Sequence, residues 1–511
     1  MFIMVKRILC IFLLICIIIP AAVACTKKEV NEEQSTADTS DSETTKADDE
    51  EQSAADTSDS ETTKEDDEKQ SAADTSDSET NDFAPVPYMA DFGNFNFIVL
   101  TRGSGSFKSN DITGEITGDS LSQATYKRNQ SLKKKYNFNI EEIQKGDWVS
   151  AAQVAGAAGE DTYHMWSFKL RDYAALALEG YLKDMNKINN MNLDAPYYDQ
   201  GLRTQGTFAD MLFFITGDML YMDDLSTMSL CFNKDLWDQY RLSDVYDKNL
   251  YELVDSGEWT FEKYCTFVNK FGFDGDGDGD VDENDMLGQV YASQDILQLN
   301  VGMANSIISK DTNDLFVFND SAKQMNDIDA IFELLRGQAC KYAEDYTSTA
   351  FHDSRALFLG ATFKAFPGKV ETFAGLVPHP KYDETQESYY SFIHPHASNA
   401  IAIANAVVDI EKVASIIELT SYESMTTLTP EITEYIFTKL PDDVSDQRMV
   451  ELICKNKTYD LSYTWHIDYG FEALRTLITD GTLRPASAVL NEGKNQIEAT
   501  NKSYFNSMMR Y

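Results

Sequence analysis

Positive charge is scarce in this sequence: 43 lysines and arginines stand against 84 aspartates and glutamates, a formal net charge of −41 over 511 residues. A surface of that sign excludes nucleic acid as a partner, because neutralising a phosphate backbone needs a basic face. Cysteine is scarce too, with seven in all, and only Cys231, Cys265, Cys340 and Cys454 lie beyond the N-terminal segment. These four are widely spaced in apolar contexts, so no disulfide framework organises the fold; buried thiols are the plain reading and one disulfide is the alternative. Histidine numbers six. The His394-Pro395-His396 pair has no ligand-like partner nearby in sequence, which leaves a zinc site without its usual spacing. No G-x-S-x-G, P-loop or H-E-x-x-H is present. So many acids leave room for the carboxylate pair of a glycoside hydrolase, yet none sits in a recognisable hydrolase motif.

Large apolar residues are almost missing between Thr26 and Asp82, where the chain carries 21 acidic and five basic side chains. An 18-residue unit recurs there from Glu32, Glu50 and Glu68, around the core "ADTSDSET". Such a segment cannot bury enough surface to fold, and it offers nothing apolar to stack as a solenoid. Self-repulsion stretches it, so residues 25–82 read as a disordered acidic tether. Before it, Lys6 and Arg7 precede an apolar run from Ile8 to Ile19, then Pro20 and Ala21-Ala22-Val23-Ala24-Cys25. This is the pattern of a secretory signal peptide over 1–24. Small residues directly before a cysteine resemble a bacterial lipobox, which would make Cys25 the lipidated first mature residue; an uncleaved membrane anchor is the alternative.

The remaining chain, rich in Phe and Tyr, is too long for one ordinary core, and two lobes are expected. "FNFIVLT" (95–101) and "NFNIEEI" read as strands around a helix from about Leu121 to Tyr136, with Asp119 and Ser120 as candidate caps. "DTYHMWSF" (161–168) reads as a strand, followed at helical spacing by Leu170, Tyr173, Ala174, Ala177 and Tyr181. Strand, turn and helix in repetition indicate an α/β domain with a largely parallel sheet. Later, "NAIAIANA" (399–406) suits a buried strand, and Asp409 is placed to cap a helix carrying Val413, Ile416 and Ile417.

Four ordered stretches then carry a resemblance: "GDSLSQATYKRNQSLKKKYNFNI", "STMSLCFNKDLWDQY", "LYELVDSGEWTFEKY" and "GLVPHPKYDETQESYY". Together they resemble the extracellular solute-binding proteins of family 1, the capture subunits of ABC importers for sugars and oligosaccharides. The resemblance implies an α/β, two-lobe periplasmic-binding-protein-like fold with a ligand cleft between the lobes. Lobe 1 would use 83–215 and 392–440, and lobe 2 would use 216–391 and 441–511. It further implies a monomer held to the outer face of the cell membrane by its lipid, a carbohydrate ligand, ABC permease subunits as partners, and no catalysis. A secreted glycan-degrading enzyme, or an adhesin or sensor partner on the same fold, are the alternatives.

"DGDGDGDVDEND" (274–285) matches a calcium loop in one register only. Hard cations take six to eight oxygens, supplied in an EF-hand from positions 1, 3, 5, 7, 9 and 12 around a glycine at 6. Starting at Asp274, these are Asp274, Asp276, Asp278, Asp280, Asp282 and Asp285, with Gly279 at the turn. The departure is Asp285 in place of the longer Glu. Phe261–Lys270 before the loop reads as a helix, but "MLGQVYA" after it does not, so there is no helix pair to open. Structural calcium in lobe 2 is the expectation.

Sugar sites combine flat aromatic faces with amides and carboxylates. Trp166 ends the "DTYHMWSF" strand, where α/β sheets bind ligands, and Ser167 follows it. Under the family resemblance, Trp465 stands where an aromatic enters the cleft, Asp224 and Ser226 where a polar contact precedes the "CFNK" strand, and Phe363 where a loop bears a stacking ring. The Tyr197-Tyr198 pair stands near the cleft rim by the same resemblance. Trp148, Trp237 and Trp259 read as packing residues.

Overall fold

The computed structural model describes residues 83–104, 111–282, 284–344, 349–366, 373–440, 444–467 and 469–510. The signal segment, Cys25 and the acidic repeat lie outside them.

Strand β1 (Phe95–Arg102) forms where the alternating apolar run places Phe97, Val99 and Leu100 out of water. It pairs in parallel with β2 (Phe138–Lys145) in unbroken register, from Phe95 opposite Phe138 to Arg102 opposite Lys145. Between them runs α1 (Ser120–Tyr136). Asp119 caps it by accepting the Ser122 N–H at 2.8 Å, and Lys133, Lys134 and Lys135 crowd its last turn, where they meet the negative end of the helix. After β2 comes α2 (Trp148–Ala158), then β3 (Met165–Lys169), which adds in parallel on the other side of β1. The expected strand over 161–168 is therefore shorter at its start and one residue longer at its end. The helix after it is also short, Tyr173–Leu178, stopped before Gly180 at φ 76°.

The chain then leaves this sheet. Strand β4 (Met228–Asn233) is buried along its whole length, and α3 (Phe261–Val268), β5 (Leu287–Tyr291) and α4 (Asp295–Gly302) follow. A small antiparallel pair, β6 (Ile308–Lys310) and β7 (Phe316–Phe318), precedes α5 (Ala322–Leu335), β8 (Cys340–Tyr342), β9 (Ala356–Thr362) and β10 (Ala374–Val377). Apart from β6 and β7, these strands form a second sheet in the order β10-β4-β9-β5-β8. Its near-continuous apolar strands fit burial on both faces.

Strand β11 (Ser391–Phe392) leads back to the first sheet, where β12 (Asn399–Ile403) pairs antiparallel with β3, giving the order β12-β3-β1-β2. Helix α6 (Ile410–Thr427) packs on α1. Asp409 does not cap it by a side-chain hydrogen bond; its carboxylate instead pairs with Lys412 at 2.6 Å. Strand β13 (Lys457–Thr458), α7 (Leu461–Thr464), α8 (Tyr469–Thr479) and the long α9 (Ala486–Met508) complete the chain, with α9 lying against α5 and α8.

A row of rings runs through the interior. Trp166 and Phe168 share one face of β3, with centroids 6.1 Å apart, and the stack continues to Tyr173 at 5.8 Å and Phe214 at 5.4 Å. Phe214 then meets Trp465 at 5.2 Å, which also touches Phe208 and Phe316. The Tyr173 hydroxyl accepts the Phe168 N–H at 2.9 Å and lies 2.6 Å from the Ala400 carbonyl, tying β3 to β12 from inside. Phe214 is the middle of this row and fully buried. Phe214→Ala is expected to cost about 3–5 kcal/mol, the usual loss for an emptied aromatic site, read as a lowered urea midpoint; an unchanged midpoint would show that the row is not a stabilising core.

Candidate functional site

Open α/β sheets hold ligands outside the carboxyl ends of their strands. In the first sheet the parallel strands end at Arg102, Lys145 and Lys169, and in the second β5, β8 and β9 end at Tyr291, Tyr342 and Thr362. The two edges meet beside the crossing segments. Lys364, just past β9, donates its N–H to the Leu225 carbonyl at 2.9 Å; the next carbonyl, that of Ser226, accepts the His394 N–H at 3.2 Å. Two residues on, the His396 and Ala397 carbonyls accept from the buried Arg102 guanidinium at 3.5 and 3.3 Å. Just past β3, Arg171 reaches the His396 ring and lies 5.0 Å over the Tyr463 ring of α7. Burial, then the charges of Arg171 and its neighbours, push His396 down to about 2, and burial pushes His394 down to about 4, so both imidazoles are neutral.

Trp148 stands at the same edge. Its indole Nε1 donates to Asp172 Oδ2 at 2.8 Å, and Lys169 Nζ lies 5.4 Å from its ring. Of the five tryptophans it is the one that is only partly buried. It packs in part against the core, as the sequence suggests, and the "KLRD" run that follows β3 brings Lys169 and Asp172 to it.

The two tryptophans expected to be ligand platforms lie elsewhere. Trp166 and Trp465 are 1% and 0% exposed and belong to the aromatic row. The reason for Trp166 is register: β3 runs on to Lys169, so its carboxyl end is three residues beyond the indole, which turns inward with Phe168. Ser167, between Thr101 and Ile401 in the sheet, is 2% exposed. Asp224, Ser226 and Phe363 do come together at the crossing, where the Phe363 N–H bonds the Thr227 carbonyl at 3.1 Å, but Ser226 and Phe363 are buried and Ser226 Oγ turns back to the Met222 carbonyl. Tyr197 and Tyr198 are also interior, both donating their hydroxyls to Glu418, at 2.5 and 2.6 Å.

Three segments cross between the sheets side by side. Thr227 bridges Ile393, and β11 pairs in parallel with β13. Lys457 lies at their centre, its ammonium 2.8 Å from Asp224, 3.3 Å from Asp199 and 3.8 Å from Asp223. Burial alone would lower its pKa, but Asp224, Asp199 and Asp223 outweigh burial and hold it well above 10.5. Tyr459 donates to Asp199 at 2.9 Å. Gly217 passes so close to this cluster's support that a Cβ there would fall 2.1 Å from the Tyr197 carbonyl oxygen, at a φ of 155°. The adjoining cavity, about 420 Å³, is lined by Asp199, Asp218, Asp223, Asp224, Thr429 and Lys457 among others. Burial and the Asp224 charge raise Asp218 to about 7.

In the acidic loop, side-chain oxygens of Asp274, Asp276 and Asp278 converge to within 4.8 Å of one another. Asp274 accepts the N–H groups of Gly277 at 2.5 Å and Gly279 at 2.9 Å, and both glycines take positive φ, 82° and 100°. Asp280 and Asp282 follow along the loop. Asp285 is buried and occupied with the backbone, accepting from Gly275 and Asp282, each at 2.7 Å. After the loop comes β5, a strand.

No family model and no curated protein matches this chain. Its fold is similar to solved structures of low sequence identity. One is an ABC substrate-binding protein from Listeria monocytogenes in complex with cycloalternan, with TM-score 0.51 and 12% identity over 80% of this chain and 99% of that one. Another is the galacto-N-biose-/lacto-N-biose I-binding protein of the ABC transporter from Bifidobacterium longum in complex with lacto-N-biose, with TM-score 0.52 and 10% identity over 81% and 98%. A third is a sugar transporter from Rhizobium etli in an open conformation, with TM-score 0.52 and 13% identity over 79% and 99%. The architecture is the two-lobe, periplasmic-binding-protein-like α/β fold.

Because Asp218 has a raised pKa in the folded state, folding takes up a proton there between the ordinary 3.8 and about 7, and its contribution to stability falls as pH rises through that window. Asp218→Asn should therefore gain in melting temperature on the parent as pH rises from 3.8 toward 7 and keep that gain above it. A constant difference across the window would mean that Asp218 titrates normally.

Proposed function

We propose that this chain is the extracytoplasmic substrate-binding subunit of an ABC importer, a monomer that captures a carbohydrate, in particular an oligosaccharide, by closing two lobes. The observation that carries this reading is the meeting of the two sheets' carboxyl edges beside three crossing strands, in a fold whose solved neighbours include proteins named for sugar binding and ABC transport. Closure about such a crossing is a hinge motion, driven by contacts that exist only in the closed state. Trp148 offers the apolar face for a sugar ring, with Asp172 and Lys169 beside it for hydroxyls. Trp166, Ser167 and Trp465 support that edge from behind, and Asp224, Ser226 and Phe363 act at the hinge. The reading assigns no bond-making step to the protein.

Lipid on Cys25 would hold the chain at the membrane and the acidic segment would give it reach; among the described residues no helix is long and apolar enough to cross a membrane. Delivery would be to permease subunits. In the second lobe Asp274, Asp276 and Asp278 fit a hard cation that prefers oxygen donors, and we assign them, with Asp280, Asp282 and Asp285, to a structural calcium.

A ligand at about 100 times its Kd stabilises the state that binds it by about 2.7 kcal/mol. The full chain should therefore melt several degrees higher with one class in a panel of mono- and oligosaccharides, with no hydrolysis, and Trp148→Ala should lower that affinity by about tenfold. Hydrolysis of a panel member would replace this reading with an enzyme. Calcium should raise the melting temperature over that in chelator, and Asp278→Ala should abolish the difference; equal melting of the parent in both would remove the metal.

A further inference from the structure

The cavity beside Lys457, about 420 Å³, takes its walls from separate parts of the chain. Asp199 precedes the helix Gln200–Gly206, Asp223 and Asp224 lie in the short helix Met222–Leu225, Thr429 opens the helix Thr429–Lys439, and Lys455 closes the helix Val444–Lys455. With Asp218, four carboxylates line it against two ammonium groups, and Lys455 is exposed. Donors are unevenly shared among the four. Asp199 accepts the Leu202 N–H at 2.8 Å and the Tyr459 hydroxyl at 2.9 Å, and lies 3.3 Å from the Lys457 ammonium. Asp224 takes that ammonium most closely, at 2.8 Å. Beside Asp218 the Thr429 hydroxyl offsets only part of the effect of burial and of Asp224, which raise its carboxyl to about 7. Asp223 has the least: its side chain is 2% exposed, its Oδ2 reaches Lys457 only at 3.8 Å, and its Oδ1 has no hydrogen-bond partner. The remaining titratable neighbours add no donor, since Tyr198 gives its hydroxyl to Glu418 and burial pushes the Cys454 thiol up to about 12.

We propose that this cavity is a binding site for a small organic ammonium ion, a protonated primary amine that donates N–H groups to Asp223 and Asp218 beside the ammonium of Lys457. A buried carboxylate oxygen without a donor is costly, and a charged donor relieves it more than a neutral one. One ammonium shared by Asp199, Asp223 and Asp224 leaves negative charge that a second cation can meet. Lys457 shows which cation these walls hold. A metal ion fits less well: among the described residues the acid oxygens that converge within 4.8 Å are those of Asp274, Asp276 and Asp278, in the loop, and here the middle of the set belongs to Lys457. An ammonium needs no such cage, because its three N–H groups are satisfied by a few acceptors on separate walls. Protons and amine compete for the same oxygens, so the site opens to the amine as Asp218 and Asp223 ionise. The inference stands apart from the carbohydrate reading: it concerns the crossing, not the strand edges, and holds whatever the lobes capture.

The test is calorimetric titration of the full chain, in saturating calcium so that the acidic loop does not compete, with methylammonium, ethanolamine and putrescine, and with tetramethylammonium as a cation that has no N–H donor. At least one of the three amines should bind one-to-one at about pH 8, and about tenfold or more weaker at about pH 5.5, where Asp218 keeps its proton. Tetramethylammonium should bind at least about tenfold weaker than that amine, the usual loss when a charged hydrogen bond is not made. Asp223→Asn should lower the amine affinity by about tenfold, and Asp218→Asn should weaken binding and flatten its pH dependence, an effect that general loosening of the fold does not produce. Should either variant fail to fold, the pH series and the tetramethylammonium comparison on the parent decide. No amine binding at the higher pH, or tetramethylammonium binding as tightly as the amines, would overturn the proposal. A second calcium per chain, lost in Asp223→Asn, would overturn it in favour of a metal.

Discussion

The ammonium of Lys457 is the point on which the two lobes depend. It sits among Asp199, Asp223 and Asp224, which belong to the end of the first sheet's chain and to the segment that leads into the second. A half-buried cation without those carboxylates would lose what holds its charge in place, and the buried Asp223 without the cation would take up a proton more readily. The arrangement is therefore stable only as a set, and the set exists only when β13 lies beside β11 and the crossing segment. Three backbone segments are thus held in register by charge as well as by hydrogen bonds.

The division of labour around the joint follows from burial. Aromatic rings fill the space behind the first sheet's edge and rest on Trp465, contributed from the far end of the chain. Rings packed on all sides have a shape but no free face. The groups that stay partly exposed at the ends of the first sheet's strands are Trp148, Lys169 and Arg171, long side chains whose stems can pack while their heads stay near water.

Much of the fold was legible because it is local. The apolar run at Phe95, the capping aspartate at position 119 and the buried run from Asn399 each gave an element close to the observed one. The acidic loop was legible because its spacing follows from cation chemistry over a dozen residues. Site residues were harder. Trp166 was misread by taking it as the strand's end, whereas β3 runs three residues further to Lys169 and the ring is buried in the aromatic row. The Lys457 cluster had no local signal at all, since Asp224 and Lys457 stand 233 positions apart and no periodicity or motif joins them. Asp285 shows the same limit at short range: spacing places it among the oxygen donors, and only the fold shows that it also accepts the Gly275 and Asp282 N–H groups.

Strand β12 returns to the first sheet after the whole second sheet has been laid down, and it pairs with β3 through Asn399 to Ile403. No N-terminal fragment of the chain can complete its first lobe; β3 would keep a bare edge and the aromatic row would stay open until the late segment arrived. Long-range pairing of this kind is slow to form because loop closure must precede its reward. A chain emerging N-terminus first thus stays uncommitted for most of its length. The topology withholds the last strand of the first sheet until position 399, so that sheet closes only on a chain already extended past the whole of the second.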